Sequence, residues 1–228
     1  MLAIIKKELK YYFCTPIGYV FIGIFLIAFS ISFYLTVLLY GNVNFEYIFY
    51  STPTIFVLAF LIPLLTMRSF SEERKAGTEQ LLLTSPLSIT KIVLGKFIAA
   101  MIIVVITSVF TLMYFAILCH FGMPHISTAI TAIIGFILFV MTYIAFGMLA
   151  SSITENQIIA GIISIAFFVI TWVMPSFNSN LESISFINML YGYTLGTIDI
   201  ANTVTFISFT IVCILLTIIV MQRRKSVK

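Results

Sequence analysis

The feature that most constrains the fold of this chain is a set of six apolar stretches. Each is about twenty residues long and nearly free of charged residues. A helix of about 20 apolar residues crosses the roughly 30 Å hydrocarbon core of a bilayer. We therefore predict six transmembrane helices, in the approximate ranges Ile17–Leu39, Tyr47–Met67, Ile92–Leu118, Ala129–Ala150, Gln157–Pro175 and Thr203–Met221.

The composition excludes a water-soluble globule. Of the 228 residues, 61% are hydrophobic and only 9% are charged, whereas a soluble domain carries about 25% charged residues. Too little polar surface exists to cover a soluble fold of this size. We predict an all-α integral membrane protein, folded as one domain over residues 1–228.

The basic residues are sorted into three segments that six helices place on one side of the membrane. By the positive-inside rule this side is cytoplasmic and both termini lie inside. We expect the protein to reside in the plasma membrane. The sorting accounts for the net charge of +4 through topology and attraction to membrane lipid, so nucleic acid is not needed as a partner. The twelve basic residues are Lys6, Lys7, Lys10, Arg68, Arg74, Lys75, Lys91, Lys96, Arg223, Arg224, Lys225 and Lys228.

Residues 1–15 have the pattern of an amphipathic helix. Leu2, Ile5 and Leu9 recur at helical spacing, while the neighbouring lysines fall elsewhere on the helical wheel. This pattern is typical of a helix that lies in the headgroup region. We expect the chain to turn into the membrane at Pro16; a disordered basic tail is the alternative.

The predicted spans have no charged residue near their centres. Ion-coupled carriers and pumps usually hold an ionisable residue there, so secondary transport is disfavoured, although a carrier lined by hydroxyl groups stays open. The sequence contains no G-x-x-x-x-G-K-[ST] motif, the phosphate-binding loop of P-loop ATPases. We infer that the chain is not an enzyme and that any energy source is another subunit.

The longest polar interruption follows the second predicted span, in residues 68–90. We expect a short helix capped by Ser69 or Ser71, because acidic residues follow directly and favour a helix N-terminus. Gly77 permits a turn, the leucines at 81–83 form an apolar face, and Ser85–Pro86 breaks the chain.

This segment resembles permeases of the type-2 ABC exporter family. The shared pattern is R-S-F-S-E-E-R-K-x-G-T-x-x-L-L-L-T-S-P-L-S followed by I-V-L-G-K, and the likeness extends to the N-terminal K-K-E-L-K and the final Q-R-R-K. The branch of gliding-motility and nitrous-oxide-reductase-associated permeases is especially similar.

The resemblance implies a partner and a site. In this family the permease dimerises, with an identical copy or a paralogue, and a separate cytoplasmic P-loop ATPase docks between the second and third helices. Six residues are thereby assigned to the coupling region: Glu72, Glu73, Arg74, Lys75, Gly77 and Thr78. The alternative is an ordinary solvated loop whose charges only set topology.

The resemblance also gives a role to residues 176–202. In the family this extracytoplasmic segment holds short helices that re-enter the outer leaflet. Its aromatic residues Phe186, Tyr191 and Tyr193, together with glycines at 192 and 196, suit such a structure. A plain external loop is the alternative.

A cluster at the outer end of the third helix contains Cys119, His120, Met123 and His125. Sulfur and imidazole ligands suit copper(I), but a short turn at a membrane edge gives the same composition, so we assign no metal and no cofactor. Two other functions stay open beside the exporter permease: a membrane anchor for an ATPase complex without its own transport path, and a secondary carrier.

Overall fold

The structure of the protein is a computed structural model that describes residues 1–39, 41, 44–80, 87–176 and 185–227. This part of the chain is helical and contains no β-strand. We number the helices in chain order: α1 (Leu2–Cys14), α2 (Pro16–Phe33), α3 (Tyr47–Tyr50), α4 (Thr52–Thr66), α5 (Ser71–Lys75), α6 (Ile89–Phe121), α7 (Ile126–Ile153), α8 (Gln157–Val173), α9 (Phe186–Thr194) and α10 (Ile200–Val227).

Five helical segments of the described chain are long and apolar enough to cross a membrane, judged by length and composition. They are Pro16–Leu38, Thr52–Lys75, Ile89–His120, Ile126–Ile153 and Ile200–Lys225. The apolar helix α8 is shorter, at 17 residues. Several helices continue beyond their predicted ends, because apolar runs mark the part suited to hydrocarbon while the backbone hydrogen bonds carry on into polar sequence.

The predicted start of the second span is wrong. A single helix was expected from Tyr47, but α3 ends at Tyr50 and Ser51 is extended, with ψ of 145°. A new helix then begins, with Pro53 in its first turn. Proline is tolerated there because the first turn of a helix has no intrahelical partner for its missing N–H.

Helix α7 forms the centre of the bundle and contacts α4, α6, α8, α9 and α10. Two glycines allow the closest approaches. A Cβ on Gly147 would lie 2.2 Å from the Thr66 hydroxyl oxygen, and one on Gly135 would lie 2.4 Å from Cβ of Tyr193. Small residues let membrane helices pack backbone against side chain in this way.

Both ends of the described chain lie at the same end of the bundle, which we call the basic end. There α1 is joined to α6 by an ion pair between Glu8 and Lys96, and the last turns of α10 are joined by Arg224 to Glu79. The opposite end carries α3 and α9, whose Tyr50 and Tyr191 rings lie 4.9 Å apart between centroids.

Helix α9 reaches from that opposite end toward the middle of the bundle. Near its start, the Phe186 ring lies 5.8 Å from that of Tyr143, seventeen residues beyond Ile126 in the 28-residue α7. Near its end, the Tyr193 carbonyl accepts a hydrogen bond from Thr131. Six of the nine residues of α9 are buried, so this helix is part of the protein core.

Candidate functional site

The short helix α5 follows directly after α4 and begins at Ser71. The predicted caps are wrong: Phe70 precedes the helix and supplies no side-chain cap, while the Ser71 hydroxyl donates back to the Met67 carbonyl. The backbone N–H groups of Phe70 and Ser71 instead donate to Oγ of Ser151, at 3.0 and 3.1 Å. A hydroxyl at the end of α7 thus replaces the local cap that a helix N-terminus needs.

On one side of α5, four charged residues join it to α1 and α6. We call this group, Lys7, Glu8, Glu73 and Lys96, the α1 joint. Nζ of Lys96 lies 3.0 Å from Oε1 of Glu8 and 3.1 Å from Oε1 of Glu73, and it donates to the Ser69 carbonyl at 2.7 Å. The Lys96 side chain is only 3% exposed. A buried ammonium is tolerated here because several acceptors surround it.

Lys7 closes the α1 joint from its solvent side, 3.1 Å from Oε1 of Glu73. Burial by itself lowers the pKa of Lys7, but the charges of Glu73 and Glu8 outweigh it, so the pKa of Lys7 is raised. The lysine therefore stays charged at neutral pH.

A second link between α1 and α5 runs through Tyr11. Its hydroxyl donates to Oε2 of Glu72 at 2.9 Å and interacts with the guanidinium of Arg68. Burial and the bond to Glu72 raise the pKa of Tyr11, so the phenol remains a donor. The fully buried residues of α1 are Ile4, Glu8 and Tyr12, while Ile5 and Leu9 of the predicted apolar stripe are partly buried and pack against the core.

The other side of α5 carries a different set of ion pairs. We call Arg74, Glu79, Glu155 and Arg224 the rim cluster. Arg74 pairs with Glu155, and Nη1 of Arg224 lies 3.3 Å from Oε1 of Glu79. Both arginines also donate to the carbonyl of Ile153, at 3.3 and 3.2 Å. Cations are favourable at this position because Ile153 ends α7, where the helix dipole is negative.

The remaining predicted site residues lie on an exposed edge. We use this term for Lys75, Ala76, Gly77 and Thr78, all of which are exposed. Gly77 has a φ of +71° with open space beside it, and the Thr78 hydroxyl donates to the Glu73 carbonyl at 3.2 Å. The leucines at 81–83 and the Ser85–Pro86 break lie outside the described residues.

Sequence reasoning missed several residues that the structure brings to this site. Glu8, Lys96, Glu79 and Arg224 all pair across large sequence separations. Two signals were present: Glu8 is the one acid on a basic helix, and Lys96 is an isolated cation inside an apolar span. Neither signal identifies a partner, because distance in the fold is not encoded locally.

The sequence also suggested a cluster of Cys119, His120, Met123 and His125, which spans the end of α6 and the start of α7. Cys119 is exposed and Met123 is 95% exposed. Within the described ranges, no group of three or more His, Cys, Asp or Glu side chains is placed to hold a metal ion. We assign no metal to this cluster.

A bundle of long apolar helices with charge gathered at one end defines a multi-pass membrane protein. Comparison with protein families then identifies the family. The model for proteins described as ABC-2 family transporter protein matches residues 28–221. The chain belongs to this family and is the membrane component of such a transporter. No curated protein matches the sequence significantly.

Proposed function

We propose that this chain is the permease subunit of an ABC exporter in the plasma membrane, driven by a separate cytoplasmic P-loop ATPase. It works as a dimer with an identical copy or a paralogue, and both termini are cytoplasmic. The observation that carries the proposal is α5: its exposed edge lies at the basic end, and its other residues are bonded to α1, α6 and α7.

Chain continuity supports six membrane crossings. Helix α7 ends at Ile153 and α10 ends near Arg224, and the two residues are hydrogen-bonded at the basic end. Because α10 runs toward the basic end, the chain must cross to the opposite end between Ile153 and the start of α10. Helix α8 begins only four residues after Ile153. We propose that α8 is the fifth crossing.

The length of α8 is compatible with this role. Its 17 residues span about 26 Å at 1.5 Å per residue. The 3₁₀ turn Met174–Ser176 continues it and adds about 6 Å. The total is close to the roughly 30 Å of hydrocarbon.

The two sides of α5 suggest a division of labour within the coupling region. Glu72 and Glu73 point inward to Tyr11, Lys7 and Lys96, so we propose that they transmit movement to α1 and α6. The exposed edge, Lys75 to Thr78, contacts the ATPase. Arg74 passes movement to the end of α7 through the rim cluster. A ligand shifts such an equilibrium only through contacts that differ between the two states, and these ion pairs are the contacts we expect to differ.

At the opposite end, we propose that α9 is the re-entrant part of residues 176–202 and closes the outer end of the transport path. Its burial against α7 and α10 supports this role, including the 2.6 Å hydrogen bond between the hydroxyls of Tyr193 and Thr203. The membership of the gliding-motility branch is part of the same proposal and rests on the motif likeness alone.

The experiment is capture of the ATPase by the tagged full chain from the native membrane, followed by an assay of ATP hydrolysis. We expect a P-loop chain to co-purify. Lys75→Glu combined with Ala76→Asp should abolish capture, because both changes reverse or add charge on the exposed edge. The matched control is Lys10→Glu, an exposed charge reversal at the same end of the bundle.

A second variant separates docking from transmission. Glu73→Gln should still capture the ATPase, but the hydrolysis rate should no longer respond to the permease. If wild-type chain captures no P-loop protein, the exporter proposal fails. If the complex hydrolyses ATP but moves no amphiphilic substrate in vesicles, the chain is an anchor subunit instead of a permease.

A further inference from the structure

Beside the α1 joint lies a cavity of about 260 Å³ between α1, α4, α5 and α6. Three basic and three acidic side chains line it: Lys7, Arg68, Lys96, Glu8, Glu72 and Glu73. Its lining therefore has no net charge, which disfavours a strongly anionic or cationic ligand.

Two buried polar atoms on this lining have no hydrogen-bond partner among the described residues. One is a donor, Nε of Arg68, and the other is an acceptor, Oε2 of Glu73. Leaving such an atom unpaired costs about 1–3 kcal/mol, more for charged groups. A matching ligand would offer an acceptor to the arginine and an N–H donor to the carboxylate.

An apolar notch of about 140 Å³ adjoins the cavity at Arg68. It is lined by Pro16, Ile17, Val20 and Leu64, and two of these, Ile17 and Leu64, also line the polar cavity. A polar cavity that continues into an apolar notch at the start of a membrane helix suits an amphiphile with one end of each kind.

We propose that this composite site binds an aminophospholipid of the phosphatidylethanolamine type. The phosphate accepts from Nε of Arg68, the ammonium donates to Oε2 of Glu73, and an acyl chain follows the notch past Val20. Water alone fits less well, because a buried water molecule needs polar partners and the notch beside the polar cavity is lined by apolar residues. The site needs no ATPase and stands apart from the exporter proposal.

The lipid headgroup makes this site selective in a testable way. A choline headgroup carries the same charge but has no N–H to donate to Glu73, and a charged hydrogen bond contributes about 1.5–3 kcal/mol. We therefore expect the ethanolamine lipid to bind at least about tenfold more tightly than its choline analogue.

The test is native mass spectrometry of the delipidated full chain in detergent, titrated with short-chain phosphatidylethanolamine, phosphatidylcholine and phosphatidylglycerol. Arg68→Lys keeps the charge but removes the Nε donor, so binding of both ethanolamine and choline lipids should fall about tenfold. Arg223→Lys, the same exchange outside the cavity, should leave binding unchanged. Glu73→Gln should remove the preference for ethanolamine over choline.

Because Glu73 also holds the α1 joint, a variant that touches no charge keeps the test independent of folding. Val20→Trp fills the notch and should weaken lipid binding, whereas Ile24→Trp, one turn further along the exposed face of α2, should not. Soluble phosphoethanolamine should bind far more weakly than the lipid; equal binding would identify a water-soluble ligand. Equal affinity for ethanolamine and choline lipids, or equal effects of Arg68→Lys and Arg223→Lys, would overturn the proposal.

Discussion

The α1 joint and the rim cluster flank the same five-residue helix, yet they are different kinds of structure. Glu73 belongs to the first and Arg74, the next residue, belongs to the second. In the α1 joint the central Lys96 side chain is 3% exposed. In the rim cluster the side chains of Arg74 and Glu155 are 27% and 65% exposed, whereas those of Arg224 and Glu79 are 20% and 9% exposed.

This difference shows that burial, more than the number of ion pairs, sets how much each cluster contributes to the free energy of unfolding. An exposed ion pair contributes about 0–1 kcal/mol because water and salt screen it. Removing one partner of a buried pair costs about 3–5 kcal/mol, because the other charge is left without compensation. We expect the α1 joint to hold helices together, and we expect the exposed Arg74–Glu155 pair of the rim cluster to exchange partners more readily.

The largest effect should come from Lys96→Met. Glu8 and Glu73 would lose their buried cation and keep only the exposed Lys7 as a charged partner, at a cost of about 3–5 kcal/mol. A thermal unfolding scan of the full chain in detergent should show a midpoint lower by roughly 10 °C. Lys91→Met, an exposed lysine on the same helix, is the control. Equal midpoints for the two variants would show that the α1 joint is not a buried unit.

An intermediate effect is expected from Arg224→Gln. Glu79, which is buried, would lose its charged partner and Ile153 would lose one of its two arginine donors, at a cost of about 1–3 kcal/mol. Hydrogen exchange should rise in the last turns of α10 and in residues 150–155. Lys225→Gln removes the same charge from an exposed neighbour. If exchange rises equally in both, the Arg224 contacts do not hold α10 in place.

The smallest effect should come from the pair Arg74 and Glu155. A double-mutant cycle with Arg74→Gln and Glu155→Gln should give a coupling below about 1 kcal/mol. The coupling should vanish in about 1 M salt, where the screening length falls to about 3 Å. A coupling of about 3 kcal/mol or more, as large as the cost expected for Lys96→Met, would remove the distinction between the two clusters.

Much of the fold could be predicted from the sequence, because apolar runs and charge sorting act over the whole length of each segment. The break at Ser51 was missed although Ser51, Thr52 and Pro53 form a local signal for the start of a helix, because a hydropathy average over the segment does not register backbone direction. The cap of α5 was missed for another reason. Ser69 and Ser71 satisfy the local capping rule, but Ser151, some eighty residues away, takes that place.

The candidate site, too, was predicted from the sequence only in part. The resemblance to the exporter family assigned Glu72, Glu73, Arg74, Lys75, Gly77 and Thr78 to the coupling region, and this assignment stays a prediction. It did not indicate that Glu73 points inward to Lys96 while Lys75 remains exposed, because these neighbours differ only in their angle around a short helix.

By itself the sequence determined that the chain is a membrane protein, which stretches suit hydrocarbon, and that the basic residues gather at one end. These properties follow from the cost of placing charge in lipid, which each segment carries alone. Only the tertiary structure decided which charges are buried together, such as Glu8, Glu73 and Lys96. Their pairing depends on how α1, α5 and α6 are placed against one another, and that placement is a property of the packed bundle as a whole.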